Sequence, residues 1–222
     1  MPIRTFFFDL DDTLYPPSTG LWDALKRRME VYLHERLGIP LEEIAPLREK
    51  LYTTYGTTLR GLQMTRGVDT QDYLAFVHDV PLPEFIQPDP RVRSVLENLP
   101  GRKLIFTNSD CNHANRVLAI LNLEGIFEDI IDINAIAPYC KPQPEAFAIA
   151  LERAGNPDPR TCLMIDDAPR NLATAQKLGL TTIYVGGQIL PQGTSAAAIP
   201  HLAELLSILP VLQPDERLLD DE

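Results

Sequence analysis

Three short apolar runs in this chain stop abruptly on acidic or hydroxyl-bearing residues, and that ending constrains the fold more than any other feature. Residues 5–10 (TFFFDL), 103–108 (KLIFTN) and 161–166 (TCLMID) are nearly continuous in apolar residues where a half-exposed strand would alternate. A run of that length and kind reads as a strand buried on both faces, the condition of a parallel sheet. Residues 181–186 (TTIYVG) have the same form, and residues 129–133 (DIIDI) are a weaker fifth candidate. Between the runs, residues 91–99, 112–123, 144–154 and 170–178 place apolar residues at i, i+3 and i+4, the period of an amphipathic helix. The last two stretches lead into Gly155 and Gly179, which suit the position just past a helix end. Strand and helix in alternation predict right-handed βαβ units and an open α/β sheet.

Residues 16–86 interrupt that alternation. After Pro16 and Pro17, Ser18 or Thr19 is expected to cap a helix whose face carries Leu21, Trp22, Leu25, Met29, Tyr32 and Leu33, ending near Gly38. Residues 41–55 and 69–80 are also helical in period, and the proline-rich residues 80–90 return the chain to the sheet. The simplest organisation is a helical insertion after the first strand, with its two proline-bearing linkers acting as stiff hinges. The tail from Gln213 (QPDERLLDDE) is expected to be frayed and solvated.

Composition narrows the function classes. The 222 residues carry 20 Lys and Arg against 31 Asp and Glu, a net charge of −11, which argues against wrapping a nucleic-acid backbone or lying on an anionic membrane. Three cysteines, Cys111, Cys140 and Cys162, cannot all pair with one another, and a reducing, cytoplasmic compartment is expected. The first residues, broken by aspartates, do not form a secretory leader, and no apolar stretch approaches the ~18 residues of a membrane span.

In doubly wound sheets ligands bind outside the carboxyl ends of the strands. There stand Asp9 and Asp11, then Thr107, Asn108 and Ser109, then Asp166 and Asp167. Any one of these ends, taken alone, reads as a helix cap. Together they bring four carboxylates near one another, and such a group stays ionised only beside cations. Oxygen ligands with no His or Cys cluster fit a hard divalent ion, Mg²⁺ first. Lys141, in the loop before the helix that starts near Pro144, supplies a second cation; a lysine is ordinarily a solvated charge, but this one is predicted on the side where the aspartates meet. Such a site suits a dianionic group, with phosphate the obvious one.

DLDDT (residues 9–13), TN (Thr107 and Asn108), KP (Lys141 and Pro142) and IDDAPRN (residues 165–171), in this order and spacing, resemble the four motifs of the haloacid dehalogenase superfamily of phosphohydrolases. The resemblance covers nearly the whole chain. The helical insertion is similar to the cap of the subfamily whose cap follows the first strand, and within it residues 14–33 and 55–63 (YGTTLRGLQ) resemble the pyrimidine 5′-nucleotidase-like branch. The resemblance implies a Rossmann-like catalytic core, residues 1–15 and 87–222, with an inserted all-helical cap, residues 16–86. It implies Asp9 as the nucleophile, Asp11 as general acid and base, and Lys141 as the charge-offsetting catalytic lysine. Mg²⁺ would be held by Asp9, the backbone carbonyl of Asp11, and Asp167. Asp166 would support it from behind, as would Asn171, which stands where the family often has a further acid. Thr107 and Asn108 would bind the phosphoryl oxygens.

The implied activity is Mg²⁺-dependent hydrolysis of a small phosphomonoester, a nucleoside 5′-monophosphate first. Pyridoxal phosphate, flavin mononucleotide and sugar phosphates stay open as substrates, as do a mutase, a 2-haloacid dehalogenase and a non-catalytic phosphate-binding module. Asp11 argues against the dehalogenase, because halide leaves without a proton. The expected partner is the small-molecule substrate, with no nucleic-acid polymer and no membrane, in a monomer or homodimer. Trp22, Met29 and Tyr32 read as the insertion's own core; Arg28, Tyr55, Arg60, Met64 and Arg66 are candidates to face a substrate from the insertion; His34, His78, His113 and His201 read as surface or helix-cap residues, and Cys140 as packing.

Overall fold

A computed structural model describes residues 1–186 and 196–212; the tail from Gln213 lies outside the described residues. Six parallel strands form one sheet in the order β3-β2-β1-β4-β5-β6: β1 Thr5–Phe8, β2 Arg102–Phe106, β3 Asp129–Ile131, β4 Cys162–Asp166, β5 Thr181–Val185 and β6 Ala197–Ile199. The α/β Rossmann-like expectation is met. The apolar runs are where both faces are covered: Phe6, Phe7 and Phe8 are at most 1% exposed, each burial stabilising by roughly 1.5–3 kcal/mol. The chain passes from β1 to β2 and β3 on one side, then returns to lay β4 against the other side of β1. The order therefore reverses at β1, and a crevice opens at the carboxyl ends of its neighbours. Strand β6 and the helix that follows it were not anticipated from sequence.

Between β1 and β2 the described chain is helical: α1 Leu21–Glu35, α2 Leu41–Tyr55, α3 Thr58–Arg66 and α4 Thr70–Val77. Tyr32 donates from its hydroxyl to Asp72 Oδ2 at 2.8 Å and packs edge-on to Tyr73, and Arg28 donates to the Phe76 carbonyl at 2.8–3.0 Å, so α1 and α4 are tied by polar contacts over an apolar interior. Helix α1 begins differently from expectation. Neither Ser18 nor Thr19 is its cap residue; Gly20, at φ 77°, occupies that place, and Thr19 Oγ1 accepts only the Leu21 amide at 3.3 Å. Helix α3 escaped the sequence reading because Gly61 breaks its apolar period. The glycine is there for packing: a Cβ at residue 61 would lie 2.6 Å from Leu51 Cδ2, so α2 and α3 approach more closely than a side chain permits.

The remaining helices cover the sheet: α5 Pro90–Asn98, α6 Cys111–Ile120, α7 Pro144–Arg153, α8 Pro169–Lys177 and α9 Leu205–Leu212. Four of these fall where the sequence period placed them. Asp89 caps α5 and Asp110 caps α6, each carboxylate accepting an amide of the first turn. Among the described residues no helix is long and apolar enough to cross a membrane.

Candidate active site

Strand register brings the chemistry-bearing residues level. Phe8 pairs with Ile105 on one side and Ile165 on the other, so the positions that follow them emerge together at the sheet's carboxyl edge. The Asp9 amide still donates to the Ile165 carbonyl at 2.9 Å, which holds the first acid against the end of β4. None of Asp9, Asp11, Thr107, Asn108, Asp166 or Asp167 is a helix-capping residue; Asp110 and Ala168 hold those places before α6 and α8.

Lys141 is buried, 1% exposed, and its Nζ donates to Asp9 Oδ1 at 2.7 Å and to Asp166 Oδ2 at 2.9 Å, while lying 5.1 Å from the Phe106 ring centre. Burial would favour the neutral amine, but Asp166 and Asp9 outweigh it and push Lys141 up to about 12. Asp166 is fully committed to the chain: Asn171 Nδ2 donates to both of its oxygens at 3.0–3.1 Å and the Ala168 amide to Oδ1 at 2.7 Å. Asp167, half-exposed beside it, has no hydrogen-bond partner among the described residues. Oxygens of Asp9, Asp166 and Asp167 all lie within 4.8 Å of one another, an all-oxygen set suited to a hard divalent cation. Burial, then carboxylate neighbours, raise Asp167 above the usual range; burial, against the opposing pull of Lys141, raises Asp9. One buried ammonium thus faces three acids, and the excess negative charge is the physical reason to expect a cation there.

Asp11 points elsewhere. Its Oδ1 accepts from Tyr15 Oη at 2.6 Å and from His113 Nε2 at 2.8 Å, and its Oδ2 from Ser109 Oγ at 2.6 Å. Burial alone would raise it, but His113, Ser109 and Tyr15 prevail and hold its carboxyl well below the usual range. Thr107 Oγ1 accepts the Ser109 amide at 3.0 Å, which leaves its own hydroxyl proton to give. The Asn108 carboxamide is paired with the Lys141 backbone, donating to its carbonyl at 3.0 Å and accepting from its amide at 2.8 Å. Asn108 therefore sets the loop that carries the lysine.

Asp9, Asp11, Thr107, Asn108, Lys141 and Asp167 line the floor of a cavity of about 480 Å³ whose roof is supplied by α1, α2, α4 and the start of α3. The sequence reading of the roof needs correcting. Arg28, Tyr55, Arg60, Met64 and Arg66 do not line it, whereas Trp22 and Met29, assigned to the helices' own core, do, along with Lys26, Arg48, Tyr52 and Tyr73. Tyr32 is core as expected. The reading of the histidines also fails in part. His113 and His78 are both buried, with rings stacked at 4.1 Å between centres; His78 is the residue that ends α4, as a cap role predicts, but His113 is neither a surface nor a cap residue. One signal was available: His113 shares the inward stripe of α6 with Ala114, Val117 and Leu118. His201 does cap a short turn, accepting the Ala203 amide, and Cys140 is buried packing whose Sγ meets the Tyr55 carbonyl. On the same rim Arg170 lies over the Tyr52 ring at 3.5 Å and donates to the Tyr52 and Gly56 carbonyls, tying the start of α8 to the end of α2.

Comparison with known proteins places the chain in a family. A sequence relative, phosphate metabolism protein 8 of Saccharomyces cerevisiae, is 31% identical over 191 residues, covering 80% of this chain and 60% of its own length; the chain thus spans about three fifths of that relative. Pyrophosphatase PpaX of Oceanobacillus iheyensis is 25% identical over 83% of this chain and 84% of its own. Among solved structures, magnesium-bound YfnB of Bacillus subtilis superposes with a TM-score of 0.61 at 21% identity, covering 94% of this chain and 99% of that one, a likeness of fold. The sequence model of the haloacid dehalogenase-like hydrolases matches residues 3–179, and the chain belongs to that family of hydrolases.

Proposed function

We propose that this hydrolase is a phosphomonoesterase working through an aspartyl-phosphate on Asp9. The observation that carries the reading is the division of labour between two acids two residues apart. Asp9 is paired with Lys141 at the sheet edge, whereas Asp11 is held in a separate cradle of donors, and both border one cavity. In the first step an Asp9 oxygen attacks phosphorus, the bond from phosphorus to the leaving oxygen breaks, and that oxygen takes from Asp11 a proton that the carboxylate has first received from the monoanionic form of the phosphomonoester. In the second, a water oxygen attacks phosphorus and gives its proton to Asp11 while the bond to Asp9 breaks, which restores both carboxyl groups and releases phosphate. Lys141 offsets charge on Asp9 and on the transferring group, and the Thr107 hydroxyl and the Asn108 carboxamide hydrogen not used on the Lys141 carbonyl are the proposed donors to the phosphoryl oxygens.

Asp9, the Asp11 carbonyl and Asp167 are the groups that would hold Mg²⁺, with Asp166 and Asn171 behind them. When bound, the ion would neutralise the acids and polarise the phosphoryl group. The fit rests on the all-oxygen donor set, on the unpartnered Asp167 carboxylate and on acids that outnumber the buried lysine.

Residues 16–86 serve in this reading as a cap over a core of residues 1–15 and 87–222, excluding water and selecting the leaving group. The substrate is a small phosphorylated metabolite, with a nucleoside 5′-monophosphate favoured. A base and ribose suit a roof that offers Trp22 and Tyr52 as ring surfaces, with the Tyr73 hydroxyl and Arg48 Nε buried without partners. The chain is read as a cytoplasmic monomer or homodimer that engages neither nucleic-acid polymers nor membranes.

The test is Asp9→Asn assayed on p-nitrophenyl phosphate with Mg²⁺. A loss of about 10³-fold or more in kcat is expected. Turnover at the wild-type rate, or wild-type turnover insensitive to chelation, would overturn the nucleophile or the metal respectively. A panel of phosphorylated metabolites then ranks leaving groups.

A further inference from the structure

We propose that His113 is the positioning residue of Asp11, and that His78, stacked on it at the junction between α4 and the core, transmits the placement of the helical roof to that carboxyl group. The inference rests on the phosphomonoesterase reading and concerns a part of the site that no motif covers.

Helix α6 presents Asp110, His113 and Arg116 at intervals of three residues, which puts them along one face. All three grip the same place. His113 Nε2 donates to Asp11 Oδ1 at 2.8 Å, a bond that the carboxyl group accepts on this oxygen whether or not the other one holds a proton. Its side chain is completely buried, so the ring has no alternative water to turn toward. Asp110 accepts the His113 amide on Oδ1 at 2.7 Å and faces His78 Nδ1 with Oδ2 at 3.3 Å. Arg116 donates to the carbonyls of His78 and Val80 at 2.8 and 2.9 Å, clamping the strand of chain that leaves α4. His78 is the first residue after α4, borders the cavity, and lies on His113 with rings inclined by 20°.

The consequence is mechanical. A shift of α4 relative to the sheet moves His78, the stacked His113 ring must follow or lose its contact, and the Asp11 oxygen that receives its hydrogen bond moves with it. His113 touches Asp11 and not the reacting atoms, so its work is to aim the group that delivers a proton to the leaving oxygen. That work is needed for an alkyl leaving group, which departs as a strongly basic oxygen, and is dispensable for nitrophenolate, which leaves without a proton.

The experiment compares kcat/KM, which reports the steps through first bond cleavage, for p-nitrophenyl phosphate and for an alkyl phosphomonoester that the wild-type protein hydrolyses, both with Mg²⁺. His113→Leu is expected to lose about 100-fold more on the alkyl ester than on p-nitrophenyl phosphate, and His113→Gln, which restores a donor, to recover at least part of that difference. His78→Ala is expected to show a smaller selective loss, and His78→Phe, which keeps a stacking ring, to avoid it. Equal losses on both substrates would mean that His113 is merely structural, and no loss that Asp11 needs no help; either overturns the proposal. If His113→Leu does not fold, the His78 pair decides by the same ratio. Wild-type inactivity on every phosphomonoester would instead sink the phosphomonoesterase reading, independently of these ratios.

Discussion

The floor and the roof of the cavity are built on opposite principles. On the floor most carboxylates are met by fixed donors of the chain, with Asp167 left over: Lys141 meets Asp9 and Asp166, Asn171 and Ala168 complete Asp166, and three donors complete Asp11. On the roof, polar atoms are buried and left unmatched, among them the Tyr73 hydroxyl and Arg48 Nε. A buried polar atom without a partner costs roughly 1–3 kcal/mol, a cost that the floor carries too at Asn171 Oδ1 and His113 Nδ1, so what sets the roof apart is that its two unpartnered atoms stand on the helices over the cavity. The difference teaches where preorganisation lies. The floor's acids and Lys141 are held in place by hydrogen bonds of the chain itself, which is the preorganisation that the proposed reaction requires. In the proposed reading the roof's open polar atoms would be met by the substrate, as befits a surface that discriminates between leaving groups.

The comparison breaks most readily at Lys141. Lys141→Met would leave two buried carboxylates without their counterion and is expected to cost about 3–5 kcal/mol, whereas Arg48→Met, whose partner Glu30 is half-exposed, should cost under about 1 kcal/mol. Urea unfolding of the two variants measures both; equal costs would erase the distinction between floor and roof.

A second, smaller effect concerns pH. Burial raises Asp9 and Asp167, and pushes Asp12 up to about 6 with help from Asp11. Through the mildly acidic to mildly alkaline range the metal-free native state thus holds more protons than the unfolded chain, so its stability falls as pH rises. Asp11 is lowered, but above pH 5 it is ionised in both states and adds no slope. The metal-free protein should melt at least about 3 °C lower at pH 8 than at pH 5.5, with Mg²⁺ stabilising it more at the higher pH. Calorimetry showing the opposite slope would mean that the floor is already neutralised within the chain.

The smallest expected effect sharpens the roof. Tyr73→Phe removes a hydroxyl with no partner and should leave stability unchanged or raise it by up to about 1 kcal/mol. The same change should lower kcat/KM for the preferred metabolite about tenfold while sparing p-nitrophenyl phosphate. A stability loss in unfolding experiments, or no change in substrate ranking, would remove Tyr73 from recognition.

Much of the floor was legible in the sequence and little of the roof. A strand buried on both faces must be apolar throughout, so TFFFDL and TCLMID declare both the strand and its end, and the residues that follow are placed without knowledge of the rest. Lys141 was legible by its loop, although its partner Asp9 is 132 residues away. The contact between His113 and Asp11 joins residues 102 apart and had no mark except a histidine on an apolar stripe. Helix α3 was hidden by Gly61, and β6 by its short length and mixed composition. In the roof, Arg28, Arg60 and Arg66 were as plausible as Arg48, since each stands on an amphipathic helix and only packing decides which way that helix turns.

Sequence alone determined the order of the strands' ends and the chemistry on them, because burial on both faces and a sudden polar stop are local properties of a short segment. Tertiary structure alone decided which side chains roof the cavity, that Asp11 rests against His113, and that His78 lies between roof and floor. Those depend on the angles at which helices settle on one another and on the sheet, and those angles are set by the sum of many weak contacts between distant segments.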